Sequence, residues 1–426
     1  EPTPVSFEAV NEYFSVATFT TRDGESITAS RINGPSEPPD LAAWEASRAT
    51  FLDRAAVLLP NFPSYSWVYG CSAVSGAMIA AYYDNNGYAN IYTGPTNSGV
   101  MPLTEDSSWG TWSDGDKSYP NNPLIASHLG VDGLAVRGSI DDYWVSYGST
   151  ANDPYITGHW TQHTWGTAIG DYMLTSRSAY DNDDGGTWFY FSGTQNSLSC
   201  DTMESRGYPD GNLGQKLFYE AKGYTVTECY NQYTDNNYSG SFSLADFQAE
   251  IDAGHPVLIN LVGHSVVGFG YNGSTIYIRD TWDSDIESAP HYMTWGGSYQ
   301  GREMFSVSIL HLAEPTYDFS KSNPSNSAPG LNPDAVMLSW GESLGALSYE
   351  YCFNTSATCS TWTNVGTNRS VSVSSLADAE TYYWQVRAVS STVTTYANGS
   401  ESAYWSFTTF DSALMTEKGF LPLMTR

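Results

Sequence analysis

The sequence predicts an α+β domain followed by an all-β, immunoglobulin-like sandwich. Three observations carry that expectation. A run of small residues after Cys71 reads as one buried helix, and PVLINLV, HSVVGFGYN and STIYIRDTW read as successive strands. Residues 328–410 alternate apolar and polar in short runs, at the regular spacing of a β-sandwich. A length of 426 residues suits about two to three domains.

Taken in order, residues 1–60 read as an N-terminal extension or pro-segment. YFSVATFTTRDGESITASRI forms two strand-like runs around an Asp-Gly turn. After the Pro-rich break GPSEPPD, LAAWEASRATFLDRAAVLL has apolar residues at helical spacing. Residues 61–314 form the principal domain. CSAVSGAMIAAYYDNNGY is a helix stopped at Asn-Asn-Gly, and LGQKLFYEAKGY is a second. SLADFQAEIDAG is a third, with Ser243 as N-cap and Gly254 as terminator. Residues of about 90 to 200 are a long Gly-, Asn-, Asp- and aromatic-rich insertion without assignable regular structure. A Pro/Ser/Asn linker, 315–327, leads to the sandwich at 328–410, and 411–426 is a tail.

Composition excludes several classes. Lys and Arg total 17 against 46 Asp and Glu, a formal charge of −29. Phosphate recognition needs basic stripes, so no nucleic acid partner is expected. No window approaches the roughly 20 apolar residues of a spanning helix, so no membrane span is expected. Hydrophobic residues make up 41% of the chain, enough for sizeable cores and against disorder. Acidity, few lysines and many aromatics fit a secreted, extracellular or cell-surface protein. No signal-type stretch precedes Glu1, which reads as a processed mature form.

The five cysteines sharpen this. Cys352 and Cys359 are close enough in sequence for a hairpin to bridge them, and Cys200 with Cys229 forms a candidate second disulfide. Cys71 is left over. It opens a helix, where unsatisfied N–H groups favour a thiolate. His264 begins HSVVGFGYN, and Asp280 ends STIYIRD across the Asn272-Gly273 turn, so pairing brings the two together. A carboxylate there would hold the imidazole tautomer. Nucleophile, base and orienter together are the parts of covalent acyl transfer. His255 is the competing base, disfavoured because it precedes Pro256 in a turn.

YGCSAVSGAMIAAYYDNNGY, GHPVLINLVGHSVVGFGYN and IYIRDTW resemble papain-like cysteine peptidases, most closely the bacteriocin-leader-peptidase-like branch. The resemblance implies a papain-like catalytic domain over 61–314, with Cys71 as nucleophile, His264 as base and acid, and Asp280 as orienting residue. That family carries a Gln six positions before the nucleophile. The position here is Tyr65, so Tyr65 and Ser66 become the candidate oxyanion donors beside the Cys71 N–H. The C-terminal region resembles a fibronectin type III-like domain through Trp340, Leu376 and Tyr382. It implies cell-surface or matrix contact.

The expected function is a secreted cysteine peptidase acting on protein or peptide substrates through a thioester acyl-enzyme, with no cofactor required. The alternatives are a cell-wall or other amide hydrolase or transpeptidase with the same triad, or an inactive surface adhesion protein. Calcium is a candidate at Asp181, Asp183 and Asp184 in DNDDGG, against the plainer reading of a turn. His159 and His163, four apart, lie in a Trp/Gly-rich stretch that argues against a metal. His128, His291 and His311 read as structural.

Overall fold

The computed structural model describes residues 6–48, 56–91, 111–113, 118–125, 168–175, 180–182 and 185–411, apart from 22–23, 69, 89–90, 121, 123, 284, 287–288, 315–316, 344 and 391–393. Contacts divide it into two compact units, Glu1–Leu312 and Ala313–Arg426.

The first unit is built on antiparallel sheets. Strands β1 (Ser6–Asn11), β2 (Phe14–Thr20) and β3 (Ser26–Ile32) pair in sequence, and β7 (Thr187–Phe191) closes that sheet against β3. Gly24, between β2 and β3, has φ 82°, while Asp23 of the expected Asp-Gly turn lies outside the described residues. A short hairpin is formed by β5 (Thr111–Ser113) and β6 (Ser118–Pro120). The larger sheet contains β8 (Leu198–Ser199), β9 (Val226–Tyr233), β10 (Val257–Leu261), β11 (His264–Asn272), β12 (Thr275–Arg279), β13 (His291–Thr294) and β15 (Arg302–Leu312), in the order β13-β12-β11-β10-β15-β9-β8. The short strands β4 (Val57–Leu58) and β14 (Ser298–Tyr299) attach to β11 and β15.

Helix α2 (Cys71–Asn85) packs against this sheet, and every residue from Cys71 to Tyr83 is buried. A helix apolar all round has to be interior. The remaining described helices are α1 (Leu41–Ala46), α3 (Ile169–Met173), α4 (Cys200–Arg206), α5 (Gly211–Ala221) and α6 (Leu244–Asp252). Each end of α6 follows its sequence. Ser243 and Asp246 form a capping box, and the chain turns at Gly254 with φ 88°.

The expected papain-like α+β class is overturned. Among the described residues, strand makes up 39% against 19% helix, so the described structure is mostly β. The reason is visible in LAAWEASRATFLDRAAVLL, read as a single helix. Among its described residues Leu41–Ala46 is helical, while Val57–Leu58 pairs with Gly270 and Tyr271 as a sheet edge. Helical periodicity yields there to pairing, because Gly270 has no side chain to exclude Leu58. The two strand-like runs of YFSVATFTTRDGESITASRI are β2 and β3, and β1 precedes them.

Disulfides join Cys200 to Cys229, Cα–Cα 5.4 Å, and Cys352 to Cys359, Cα–Cα 5.9 Å. The second unit is all β. One sheet orders β16 (Lys321–Asn323), β18 (Val336–Trp340) and β21 (Ser370–Val373). The other runs β17 (Ala328–Leu331), β24 (Trp405–Thr409), β22 (Thr381–Val389), β19 (Ser348–Asn354) and β20 (Thr363–Asn364), with β23 (Thr394–Tyr396) beside β22. Trp340, Tyr382, Trp384 and Phe407 fill the core, and the Tyr382 hydroxyl accepts a 2.9 Å bond from the Ala377 N–H.

Candidate active site

Cys71 is the first residue of α2, and Gly70 before it has φ 126°. A Cβ on Gly70 would press into the Gly185 carbonyl, so only glycine brings the chain into the helix this way. The Cys71 thiol is unbridged and fully buried. Its Sγ accepts the Ser265 N–H at 3.3 Å. Burial pushes the thiol up to about 11, against the lowering effect of that hydrogen bond.

His264 opens β11 one residue before that N–H. Its Nε2 lies 2.8 Å from the Asp280 backbone carbonyl. A carbonyl only accepts, so Nε2 carries the proton and Nδ1 keeps a lone pair. Nδ1 is buried and has no hydrogen-bond partner among the described residues. Gly34 locates that atom relative to the sulfur. A Cβ built on Gly34 would fall onto Cys71 Sγ and lie 2.8 Å from His264 Nδ1. The sulfur and the free nitrogen therefore flank one atomic position. The ring is held flat against Trp282, with centroids 4.2 Å apart and planes at 10°. Burial brings the imidazole down to about 3, only partly opposed by the Asp280 carbonyl, so it is neutral here.

The expected carboxylate–imidazole contact is not made. Asp280 meets His264 through its main chain, while Oδ2 accepts from the Tyr299 hydroxyl at 2.6 Å and the Trp44 indole N–H at 2.5 Å. Oδ1 accepts the Trp282 N–H at 3.1 Å. The cause is local. Strand β12 ends at Arg279, so Asp280 lies just past the strand, and Thr281 after it takes φ 69°. A bulge between Gly268 and Gly270 also shifts the β11–β12 register by one residue, which the count from the Asn-Gly turn missed.

Of the other predicted residues, Tyr65 is fully buried and Ser66 half-buried on the segment leading into α2. Asp181 is exposed and its carbonyl accepts from Arg31 at 2.6 Å, while Asp183 and Asp184 lie outside the described residues. His128, His159 and His163 also lie outside them. His255 sits at the far end of β10 from His264, and its Nδ1 is 3.2 Å from Glu250.

The reading of residues 1–60 as an extension or pro-segment left open which residues would cover the site. Asn33, Gly34 and Pro35, directly after β3, are buried over the Cys71–His264 pair, and the Pro35 carbonyl accepts the Trp282 indole N–H at 2.9 Å. His291, read as structural, stacks on Trp44 with centroids at 4.9 Å and lies 3.9 Å from the Asp280 carboxylate. The Pro-rich break GPSEPPD was the available signal, since such a segment runs extended over whatever it packs on.

Among the described residues no helix is long and apolar enough to cross a membrane. No curated protein matches the chain. Solved structures similar to it include an Fn3-like protein from Clostridium thermocellum, 22% identical over 22% of this chain and 92% of that one, TM-score 0.17. A fibronectin type III domain derived from human KIAA0970 protein is 16% identical over 27% and 82%, TM-score 0.17. Likenesses this low bear on nothing further. The match that bears on chemistry is to the Peptidase_C39 like family, over residues 191–301, a stretch that contains His264 and Asp280 and lies beyond Cys71 in the chain.

Proposed function

We propose that this chain is a secreted cysteine peptidase, held covered by its own N-terminal segment. The observation that carries the reading is the unbridged Cys71 Sγ beside the unpartnered Nδ1 of a correctly protonated His264. The similarity of residues 191–301 to a peptidase family supports it, and so do two disulfides, which persist in oxidising compartments.

Once residues 32–35 move aside, a peptide carbonyl enters the space they fill. His264 Nδ1 takes the thiol proton, and Sγ attacks the carbonyl carbon. The developing oxyanion is met by the Cys71 N–H at the helix N-terminus, with the segment of Tyr65 and Ser66 as the neighbouring source of a second donor. His264 returns the proton to the leaving amine, and water activated by the same nitrogen then hydrolyses the thioester. Asp280 holds the ring through its carbonyl. No cofactor enters these steps.

The covered state follows from the same contacts. Both reacting groups are fully buried and neutral, a resting pair rather than an ion pair. The test is to cleave the chain within residues 36–60 and compare peptide hydrolysis and alkylation of Cys71 before and after. Hydrolysis that appears only after cleavage and disappears in Cys71→Ala is expected. Full hydrolysis by Cys71→Ala ends this reading, and so does an inert Cys71 in the cleaved, folded chain.

A further inference from the structure

A second convergent cluster lies at the other end of β10 from the thiol. Glu250 is in the last turn of α6, His255 follows in the turn before β10, and His311 is near the end of β15. The strand between His255 and Leu261 is about 20 Å long at the usual rise, so this cluster is separate from Cys71 and His264.

Both imidazoles aim at one oxygen. His311 Nε2 is 2.6 Å and His255 Nδ1 3.2 Å from Glu250 Oε2. The three donor atoms all lie within 4.8 Å of one another. The other nitrogen of His311, Nδ1, lies 2.9 Å from Glu228 on the paired strand β9. The two rings stack with centroids 3.9 Å apart, so each restricts the other. The side chains of Glu250, His255 and His311 are 13%, 26% and 16% exposed, which leaves a way in from solvent.

We propose that Glu250, His255 and His311 bind one divalent transition-metal ion of the zinc type. Two imidazoles and a carboxylate are an established zinc donor set, with bonds of about 2.0 to 2.2 Å and a fourth position for water. An ion among them would replace the present hydrogen bonds to Glu250 Oε2, with the donors already within 4.8 Å of one another. Glu228 supplies the outer carboxylate that orients a metal-bound histidine through its free ring nitrogen. The ion would tie the end of α6 to β15 more firmly than the Glu250–His311 hydrogen bond that already joins them. With a formal charge of −29, the whole molecule draws cations toward it. The competing account is a proton-bridged pair of histidines on one carboxylate, which the same contacts describe without any ion.

The test uses the full chain carrying Cys71→Ala, so that the thiol cannot be a ligand. After chelator dialysis, Zn²⁺ is titrated by calorimetry, and Co²⁺ is added separately and followed by visible absorption. The expected result is one Zn²⁺ per chain, a Tm raised by the ion, and tetrahedral Co²⁺ bands without sulfur charge transfer. His255→Gln and His311→Gln should each weaken binding on the order of 100-fold or more, and Glu228→Gln about 10-fold. Absence of stoichiometric Zn²⁺ binding in the parent overturns the site whatever the variants do. Stoichiometric binding that both histidine variants retain overturns it equally.

Discussion

Asp280 holds His264 by its main-chain carbonyl at 2.8 Å, not by its carboxylate. The carboxylate is committed to Trp44 and Tyr299. The residue therefore couples two things: the tautomer of His264, and the anchoring of the N-terminal segment through Trp44.

The first consequence concerns that anchor. Trp44→Phe keeps an aromatic ring against His291 but removes the donor to Asp280. A buried hydrogen bond to a charged acceptor contributes about 1.5 to 3 kcal/mol, so thermal unfolding should move down accordingly. Alkylation of Cys71 should quicken as the segment loosens. An unchanged labelling rate alongside a lowered Tm would mean that Trp44 supports the fold without governing cover.

Gly34→Ala tests the cover at its closest point. The added methyl would fall onto the Cys71 sulfur, and Gly34 already has φ 48°, where a side chain is strained. The segment has to lift. Each loss of about 1.4 kcal/mol in closure raises labelling of Cys71 about tenfold. If the variant folds and its thiol stays as slow as in the parent, residues 32–35 do not shield it.

The resting pair leaves a pH signature. His264 sits at about 3 when folded, against 6.5 for an ordinary imidazole, because burial disfavours its charge. Between those values the unfolded chain binds one more proton, so stability falls as the pH drops below about 6.5. Cys71, raised by burial to about 11 from 9.0, acts at the other limb: the unfolded thiol ionises first, and stability falls as the pH rises past about 9. His264→Gln should flatten the acid limb by one proton's slope in urea titrations across pH 4 to 6. An identical slope in the variant would show that His264 does not titrate between the two states.

The disulfides differ in how much chain they close. Cys200–Cys229 spans 29 positions and Cys352–Cys359 spans 7. Loop entropy assigns them about 3.6 and 2.4 kcal/mol. Serine pairs at each site should therefore lower unfolding midpoints unequally, with Cys200→Ser/Cys229→Ser the costlier. Each loss belongs to its own unit, which separate tryptophan and calorimetric transitions can resolve. The reverse order of losses would put residual structure in the reduced chains ahead of loop length.

Local signals in the sequence were dependable where neighbours in the chain supply the partner. Ser243 caps α6 because its oxygen reaches the Asp246 N–H. The β11–β12 hairpin turns at Asn272-Gly273 because glycine there has φ 58°. Cys71 stands out by elimination, by its place at a helix start and by the resemblance of its surroundings to papain-like peptidases. The balance of α and β was misjudged because Val57–Leu58 answers to the edge of β11, which no local period reveals.

By itself, then, the chain determined the starts of α2 and α6, the Asn272-Gly273 turn and the pairing of its cysteines, since these depend on residues a few positions apart or on counting. Only the tertiary structure decided which atom of Asp280 faces His264, that Gly34 lies over the thiol, and that Glu250, His255 and His311 converge. Those three outcomes hang on a one-residue bulge, the end of β12 just before Asp280 and a strand order that joins distant segments. Ångström-scale offsets of that kind decide hydrogen bonds, and they arise only when separate parts of the chain pack together.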